Sequence, residues 1–344
     1  MRSAMARVSP GTPLREGIDH ILSSGTGALL VIGDVQHVLV LSNGGFRIES
    51  PFTPERLFEL AKMDGAIVID AAVERILFAN VFLVPDPELP TSETGMRHQA
   101  AERVSRQTDA LVISISQRRD VVSLYLGGEK LILDDLEVLL AKANQALQTL
   151  QRFRARLDEV SGRLMALEFE DLVTINDVAG VIRRFEMLQR VAREVGRYIL
   201  ELGSEGRLLR MQAEELTLGV EEDYLMLLRD YAPDDNPRRL STLRSRLAHL
   251  PAERLLESEA IAGALGYSAG SRVTEEHVHP RGYRLLRRIP MLPATVIGRL
   301  VDRFGSLSGI VHATETQLDD VDGVGARRAK AIVDGVRRMR REVS

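Results

Sequence analysis

The chain has 344 residues, is 44% hydrophobic and 27% charged, and carries a formal net charge of -4. That length exceeds one ordinary core, so two or three domains are expected. The absence of cysteine excludes disulfides and thiolate metal sites.

Met1 to Gly17 is polar and holds Arg2, Arg7 and Arg15, with no apolar run of the signal-peptide kind. No later stretch approaches the ~20 apolar residues that span a bilayer, so a cytoplasmic location without membrane contact is expected. Six short apolar runs then predict strands: Ala28–Ile32, Val38–Leu41, Ala66–Ile69, Ile76–Ala79, Ala110–Ile115 and Val121–Leu126. Ser42-Asn43-Gly44-Gly45 predicts a turn, and Pro54–Lys62 and Gly95–Arg106 predict helices. This order predicts an α/β domain with a mixed sheet over residues 1–140.

After Asp134 the period changes. Leu136, Leu140, Ala143, Leu147, Leu150, Phe153, Leu157, Val160, Leu164 and Leu167 recur every three or four residues, which predicts one long amphipathic helix. Helices follow over Ile175–Leu202, Arg207–Leu218 and Glu221–Tyr231, with Thr174 and Asp177 placed as a capping box. Residues 141–280 thus read as an all-α spine. The chain as a whole is expected to be a multidomain α+β protein.

The last stretch, 281–344, reads as two short helical hairpins, opening at Ile289-Pro290-Met291-Leu292-Pro293 and at Val321-Asp322-Gly323-Val324-Gly325. From Pro280 to Ser344 thirteen Arg and Lys face seven Asp and Glu, so this end is +6 and the remainder -10. A basic end on an acidic body fits a polyanionic partner. Gly323 and Gly325 allow a tight turn and close backbone approach, and the following helix start offers amides to a phosphate. With Arg327, Arg328 and Lys330 beside them, Gly323, Val324 and Gly325 form the pattern of a helix-hairpin-helix that holds nucleic-acid backbone without reading bases.

Two segments of the first domain carry chemistry. Asp64-Gly65-Ala66 puts a carboxylate and a glycine at the mouth of a strand, and Gly95-Met96-Arg97-His98-Gln99-Ala100 puts an arginine and a histidine at a helix start. The first resembles the opening signature of the diadenylate cyclases, and Arg97-His98 resembles the start of their second. Val81-Phe82-Leu83-Val84-Pro85 and Ser114-Ile115-Ser116-Gln117-Arg118-Arg119-Asp120 are similar to that family's intervening segment and basic strand-end loop. With the helical middle and the hairpin tail, the whole chain resembles the DisA family of DNA-integrity-scanning diadenylate cyclases.

The resemblance implies that two ATP molecules condense to cyclic di-AMP with release of two pyrophosphates, using Mg2+ or Mn2+. It implies that Asp64 holds the metal and helps deprotonate the attacking 3′-hydroxyl, and that Gly65 admits the nucleotide. By the same resemblance Leu83 is expected to pack the adenine, and Arg97 and His98 to hold the phosphates, with Met96, Gln99, Ala100, Ser116, Arg118 and Arg119 around the nucleotide. It further implies a homo-oligomer, an octamer joined through the helical spine, and binding of branched DNA by the tail. Met96, Gln99 and Ala100 stand where the family carries two hydroxyl residues and an arginine. A carboxamide does not replace a bidentate guanidinium. The alternative reading is therefore a DNA scanner whose cyclase domain binds ATP with little or no turnover.

Overall fold

The computed structural model describes residues 1–116, 121–233, 236–267 and 273–343. They pack as two units, one formed by Met1–Gln145 with Gly196–Met211, the other by Ala146–Val195 with Gln212–Ser344. The divisions fall inside helices, among them the two long ones.

The first unit is built on an eight-stranded mixed sheet. In chain order its elements are α1 (Arg2–Arg7), α2 (Pro13–Ser23), β1 (Ala28–Ile32), α3 (Val35–Val40), β2 (Ser42–Asn43), β3 (Phe46–Pro51), α4 (Pro54–Ala61), β4 (Ala66–Ile69), β5 (Arg75–Leu83), α5 (Met96–Gln107), β6 (Leu111–Ser116), β7 (Val121–Leu126) and β8 (Glu129–Ile132). The strand order is β2-β5-β4-β1-β6-β7-β8, with β3 also on β5. Among the described residues, only the β1–β4 pair is parallel.

Strand alternation divides the core between the two sheet faces. Leu30, Ile32, Ile67, Ile69, Ile113 and Ile115 pack with Leu14, Ile18 and Leu57 of α2 and α4. Leu29, Val31, Val68, Val112 and Tyr125 pack with Ala101 and Val104 of α5. A sheet buried on both faces needs apolar residues at successive positions, which is why its central strands read as unbroken runs.

The expected strand Val38–Leu41 is a helix instead. Asp34 takes a left-handed conformation (φ 43°) that ends β1 and redirects the chain. Its carboxylate then meets His37 Nδ1 at 2.6 Å, a contact across one helical turn. Only Val38 of α3 is buried, and Val40 is exposed. A four-residue apolar run does not by itself distinguish the two periods. The edge strands β3 and β8 carry no such run and were not expected.

The second unit is helical. The helices α6 (Leu136–Glu170), α7 (Ile175–Leu202) and α8 (Arg207–Thr217) each contribute residues to both units; α9 (Val220–Tyr231), α10 (Pro237–Ala248) and α11 (Ser258–Leu265) follow. Thr174 and Asp177 form the expected reciprocal cap, Thr174 N donating to Asp177 Oδ2 at 2.9 Å and Asp177 N to Thr174 Oγ1 at 3.4 Å. The chain closes with α12 (Tyr283–Arg287), α13 (Ala294–Phe304), α14 (Leu307–Val311), α15 (Glu315–Asp319) and α16 (Gly325–Val343).

These last helices share one core with earlier ones. Met165 and Phe169 of α6 and Met226 of α9 pack with Tyr283, Leu286, Ile289, Leu300 and Ile332. Charges are buried there as well. Arg284 pairs with Glu168, Tyr231 Oη donates to Glu168, and Asp230 accepts the amides of Gly282, Tyr283 and Arg284 at 2.7–3.0 Å. Among the described residues, no helix is long and apolar enough to cross a membrane.

Candidate functional site

Strand register places the motif residues at one end of the sheet. Leu29 of β1 pairs with Ala66 and Ala28 with Ile115, while Ala66 also pairs with Val81. The start of β4, the end of β5 and the end of β6 therefore converge. Asp64 and Gly65 precede β4, Leu83 ends β5 and Ser116 ends β6. Four expected site residues, from three segments distant in sequence, come to one end of the sheet. Leu83 packs partly against the α5-side core. Arg118 and Arg119 lie outside the described residues.

Gly65 is required twice over. Its φ is +103°, and a Cβ there would stand 2.8 Å from the backbone carbon of Asn80. Asn80 itself is left-handed (φ 54°), at an irregularity in the β4–β5 register. The register shift of such a bulge lies beside the turn that carries Asp64 and Gly65.

The helix start arrives from the other side. Arg97 Nη2 donates to Asp64 Oδ1 at 3.2 Å, which joins the two signatures directly. Asp64 is 92% exposed and Arg97 41%, so the pair faces solvent and adds little stability. Gly95 caps α5 without a side-chain bond, which leaves the positive end of the helix dipole to the site. His98 Nδ1 lies 3.0 Å from Tyr125 Oη. Tyr125 is fully buried, and burial, aided by the charge of Glu93, pushes its hydroxyl above the ordinary range.

A strap leads into this helix and is tied along it. Gln99 Nε2 donates to the Glu93 carbonyl at 2.8 Å, Arg103 Nε to the Leu89 carbonyl at 2.9 Å, and Gln107 Oε1 accepts from Asp86 N at 2.9 Å. Buried Glu102 accepts from Thr91 Oγ1 at 2.6 Å and Ser92 N at 3.1 Å, and pairs with Arg106 at 2.6 Å. Burial alone would raise the Glu102 pKa, but its bonds from Thr91, Arg106 and Ser92 prevail and hold it below the usual carboxylate range. Gln99 is thus a tether of the strap. Met96 is 87% exposed, and Ala100 offers no donor. Tyr125, Glu93 and Glu102 belong to no motif that the sequence displays. The one signal available was the period of β7, which puts Tyr125 on the α5 side with Ser123.

Asp64 offers an exposed oxygen ligand of the kind Mg2+ and Mn2+ take alongside nucleotide phosphates and water. Among the described residues no three His, Asp or Glu side chains form a cage that would hold an ion unaided. The donor set fits an ion brought in with a nucleotide.

In the second unit, Gly323 (φ 85°) and Gly325 (φ 61°) make the turn before α16. Arg299 Nη1 donates to the Asp322 carbonyl at 2.9 Å, and Arg328 Nη1 to the Gly323 carbonyl at 2.5 Å. Val324 is buried, and its amide is bound to the Val321 carbonyl at 2.9 Å. Its side chain plugs the core beneath the turn. Arg327 and Lys330 are exposed, whereas Arg328 is half-buried.

Comparison with known proteins fits this layout. The family model described as DisA bacterial checkpoint controller nucleotide-binding matches residues 15–130. The model described as DisA bacterial checkpoint controller linker region matches 133–274. The DNA integrity scanning protein DisA of Symbiobacterium thermophilum is 53% identical over 336 residues, covering 98% of this chain and 95% of that one. The chain belongs to the DisA family. A second DisA relative, from Carboxydothermus hydrogenoformans, is 48% identical over 344 residues, covering 99% of this chain and 97% of its own. In DisA terms, then, the α5 helix start, Asp64 and the β4–β6 sheet end lie in the nucleotide-binding region, and α6 to α11 lie in or next to the linker region. The residues after 274 fall outside both family models but within the full-length relatives.

Proposed function

We propose that this DisA-family chain is a diadenylate cyclase that joins two ATP molecules into cyclic di-AMP and releases two pyrophosphates. The observation that carries this is the meeting of Asp64 and Arg97 at the open sheet end, 3.2 Å apart. Each 3′-hydroxyl attacks the α-phosphate of the other nucleotide, so each active unit needs two nucleotides face to face. Two copies of this chain related by a two-fold axis supply that with a single surface, and the octamer expected from the family is the working assembly.

Phosphoryl transfer depends on in-line positioning and charge neutralisation more than on covalent chemistry. In this reading Asp64 holds Mg2+ or Mn2+ and helps take the proton of the 3′-hydroxyl. When bound, the ion neutralises phosphate charge. Arg97, His98 and the α5 helix start hold the phosphates. Leu83 packs the adenine, Gly65 leaves room for the nucleotide, and Ser116, Arg118 and Arg119 border it. The reaction takes place in the cytoplasm.

Purified protein incubated with ATP and Mg2+ or Mn2+ is expected to yield cyclic di-AMP on separation of the nucleotides. A second reading, ATP binding without turnover, has one observation behind it: the Gln99 carboxamide is spent on the Glu93 carbonyl. Tight ATP binding with no product under either metal would favour that reading and reject cyclase activity.

The tail is assigned to DNA backbone, through a tandem helix-hairpin-helix formed by the helices from α12 to α16. Arg327 and Lys330 are its leading contacts, with the Gly323–Gly325 turn approaching the phosphates. Deleting residues 281–344 would be a poor test, because Asp230 and Glu168 would lose their buried partners. Exposed charges are better targets. Arg327→Glu with Lys330→Glu is expected to weaken junction-DNA binding at least about tenfold at moderate salt and to flatten its salt dependence. ATP cyclisation without DNA is expected to be unchanged. Undiminished junction binding by the double variant, measured by anisotropy, would move the DNA surface elsewhere.

A further inference from the structure

We propose that Arg299 is a positioning residue for DNA: from α13 it clamps the turn before α16 and so sets the face that this turn offers to a phosphate. This role rests on the reading of the tail as a DNA-backbone module.

The clamp joins two helices that are apart in sequence. Arg299 lies in α13, and its Nη1 donates to the Asp322 carbonyl at 2.9 Å. The same nitrogen pairs with Asp322 Oδ2 at 2.7 Å, so one guanidinium holds both the backbone and the side chain of Asp322. Gly323 is pressed against this contact. A Cβ there would stand 3.0 Å from Arg299 Nη1 and 3.4 Å from Val296 Cγ2, and its φ is +85°. A side chain at Gly323 would therefore strain the backbone and crowd the guanidinium. From α16, Arg328 Nη1 donates to the Gly323 carbonyl at 2.5 Å.

Peptide geometry turns these contacts into an orientation. Among the described residues every peptide bond is trans, and the carbonyl and amide of a trans unit point in opposite directions. Arg299 holds the Asp322 carbonyl, which aims the Gly323 amide away from the guanidinium. The next unit is fixed at both ends, its carbonyl on Arg328 and its Val324 amide on the Val321 carbonyl at 2.9 Å. Two successive peptide units are thus each set by an arginine. The pair also answers a charge problem. The Asp322 side chain is 86% exposed, an anion beside a turn meant for anions, and Arg299 offsets it. Arg327 and Lys330, by contrast, are exposed on α16 and suit direct contact with phosphate.

A clamp, a phosphate contact and a cancelled charge differ in what their loss does. Losing one phosphate contact lowers the slope of log affinity against log salt by about 0.9. Losing a clamp lowers affinity and leaves the slope alone. Arg299→Ala combined with Asp322→Asn, made in the full chain, removes both charges of the pair and frees the Asp322 carbonyl at constant net charge. It is expected to bind junction DNA at least about fivefold more weakly, with a salt slope within about 0.3 of wild type, whereas Arg327→Ala loses about 0.9. Arg299 is half-exposed, so Tm is expected to move by less than about 2 °C. Amide exchange across residues 321–327 is expected to quicken. Arg299→Lys keeps a cation that can donate to the carbonyl and is expected to retain more affinity than Arg299→Ala.

Wild-type affinity in the double variant would overturn the clamp and leave Arg299 as charge cancellation alone. A slope that falls as far as in Arg327→Ala would make Arg299 a phosphate contact instead. Unchanged amide exchange across the turn would show that α13 does not hold it. Absence of junction binding by wild type would defeat the DNA reading and this role together, whereas binding that responds to Arg327→Ala but not to the double variant would defeat this role alone.

Discussion

Asp64→Asn is expected to abolish cyclic di-AMP formation while leaving the fold and most ATP affinity in place. The carboxylate precedes β4 at the open sheet end and is 92% exposed, so its own contribution to stability is small. Asparagine keeps the size of the side chain but removes the charge that an ion and a 3′-hydroxyl proton both need. Losing one preorganised electrostatic partner typically costs about 10²–10³-fold, and here a metal ligand and a base are lost together, so a fall of about 10³-fold or more is expected. Arg97 would keep a neutral oxygen within reach, which leaves the first turn of α5 undisturbed. The check is product formation by wild type and variant at saturating ATP, with circular dichroism and nucleotide binding in parallel. Equal product from the two proteins would remove Asp64 from the chemistry and the cyclase assignment with it.

The sequence was informative where one physical cause dominated. The central strands are buried on both faces, and an unbroken apolar run is the direct consequence. The long helices announce themselves through their 3.6-residue period, and α7 begins at the cap that Thr174 and Asp177 build. Legibility failed where local pattern was ambiguous or absent. Val38–Leu41 is apolar enough for a strand, but the left-handed Asp34 before it is visible only in three dimensions. The strand Phe46–Pro51 alternates charge with apolar residues at an exposed edge and has no run to recognise.

The candidate site shows the same division. Asp64, Gly65, Arg97 and His98 were legible as motifs, and register brings their segments together. Tyr125 was not, because a tyrosine in an apolar strand looks like core, and it is core apart from one hydroxyl. Gln99 was read as a nucleotide contact, and Val324 as a DNA contact. Neither reading could foresee the Glu93 carbonyl that takes the Gln99 amide or the core that takes the Val324 side chain. Which way a side chain turns is set by long-range partners that spacing does not reveal.

The largest stability effect is expected at the buried charges beneath α12. Arg284 and Glu168 are both within a few per cent of full burial, and Tyr231 also donates to Glu168. Arg284→Leu would strand the Glu168 carboxylate in apolar surroundings. Breaking such a pair from one side costs about 3–5 kcal/mol, because the remaining charge has lost its compensation. Arg284→Leu combined with Glu168→Leu removes both charges and should recover most of that loss. Asp230 adds a pH signature to the same cluster. Burial, and then the charge of Glu168, push its pKa up to about 7, although the Arg284 and Tyr283 amides pull the other way. An acid whose folded pKa lies above its unfolded value of 3.8 favours folding in its protonated form. That contribution is complete below pH 3.8 and is lost as pH rises through about 7. Between its two pKa values the loss approaches 1.4 kcal/mol per pH unit at most, roughly, for one proton. Thermal unfolding of the full chain should therefore show a lower Tm above pH 7.5 than at pH 6, with the slope reduced in Asp230→Asn. A Tm for Arg284→Leu within about 2 °C of wild type, or a pH slope identical in Asp230→Asn, would mean that these charges are not the joint between α6, α9 and α12.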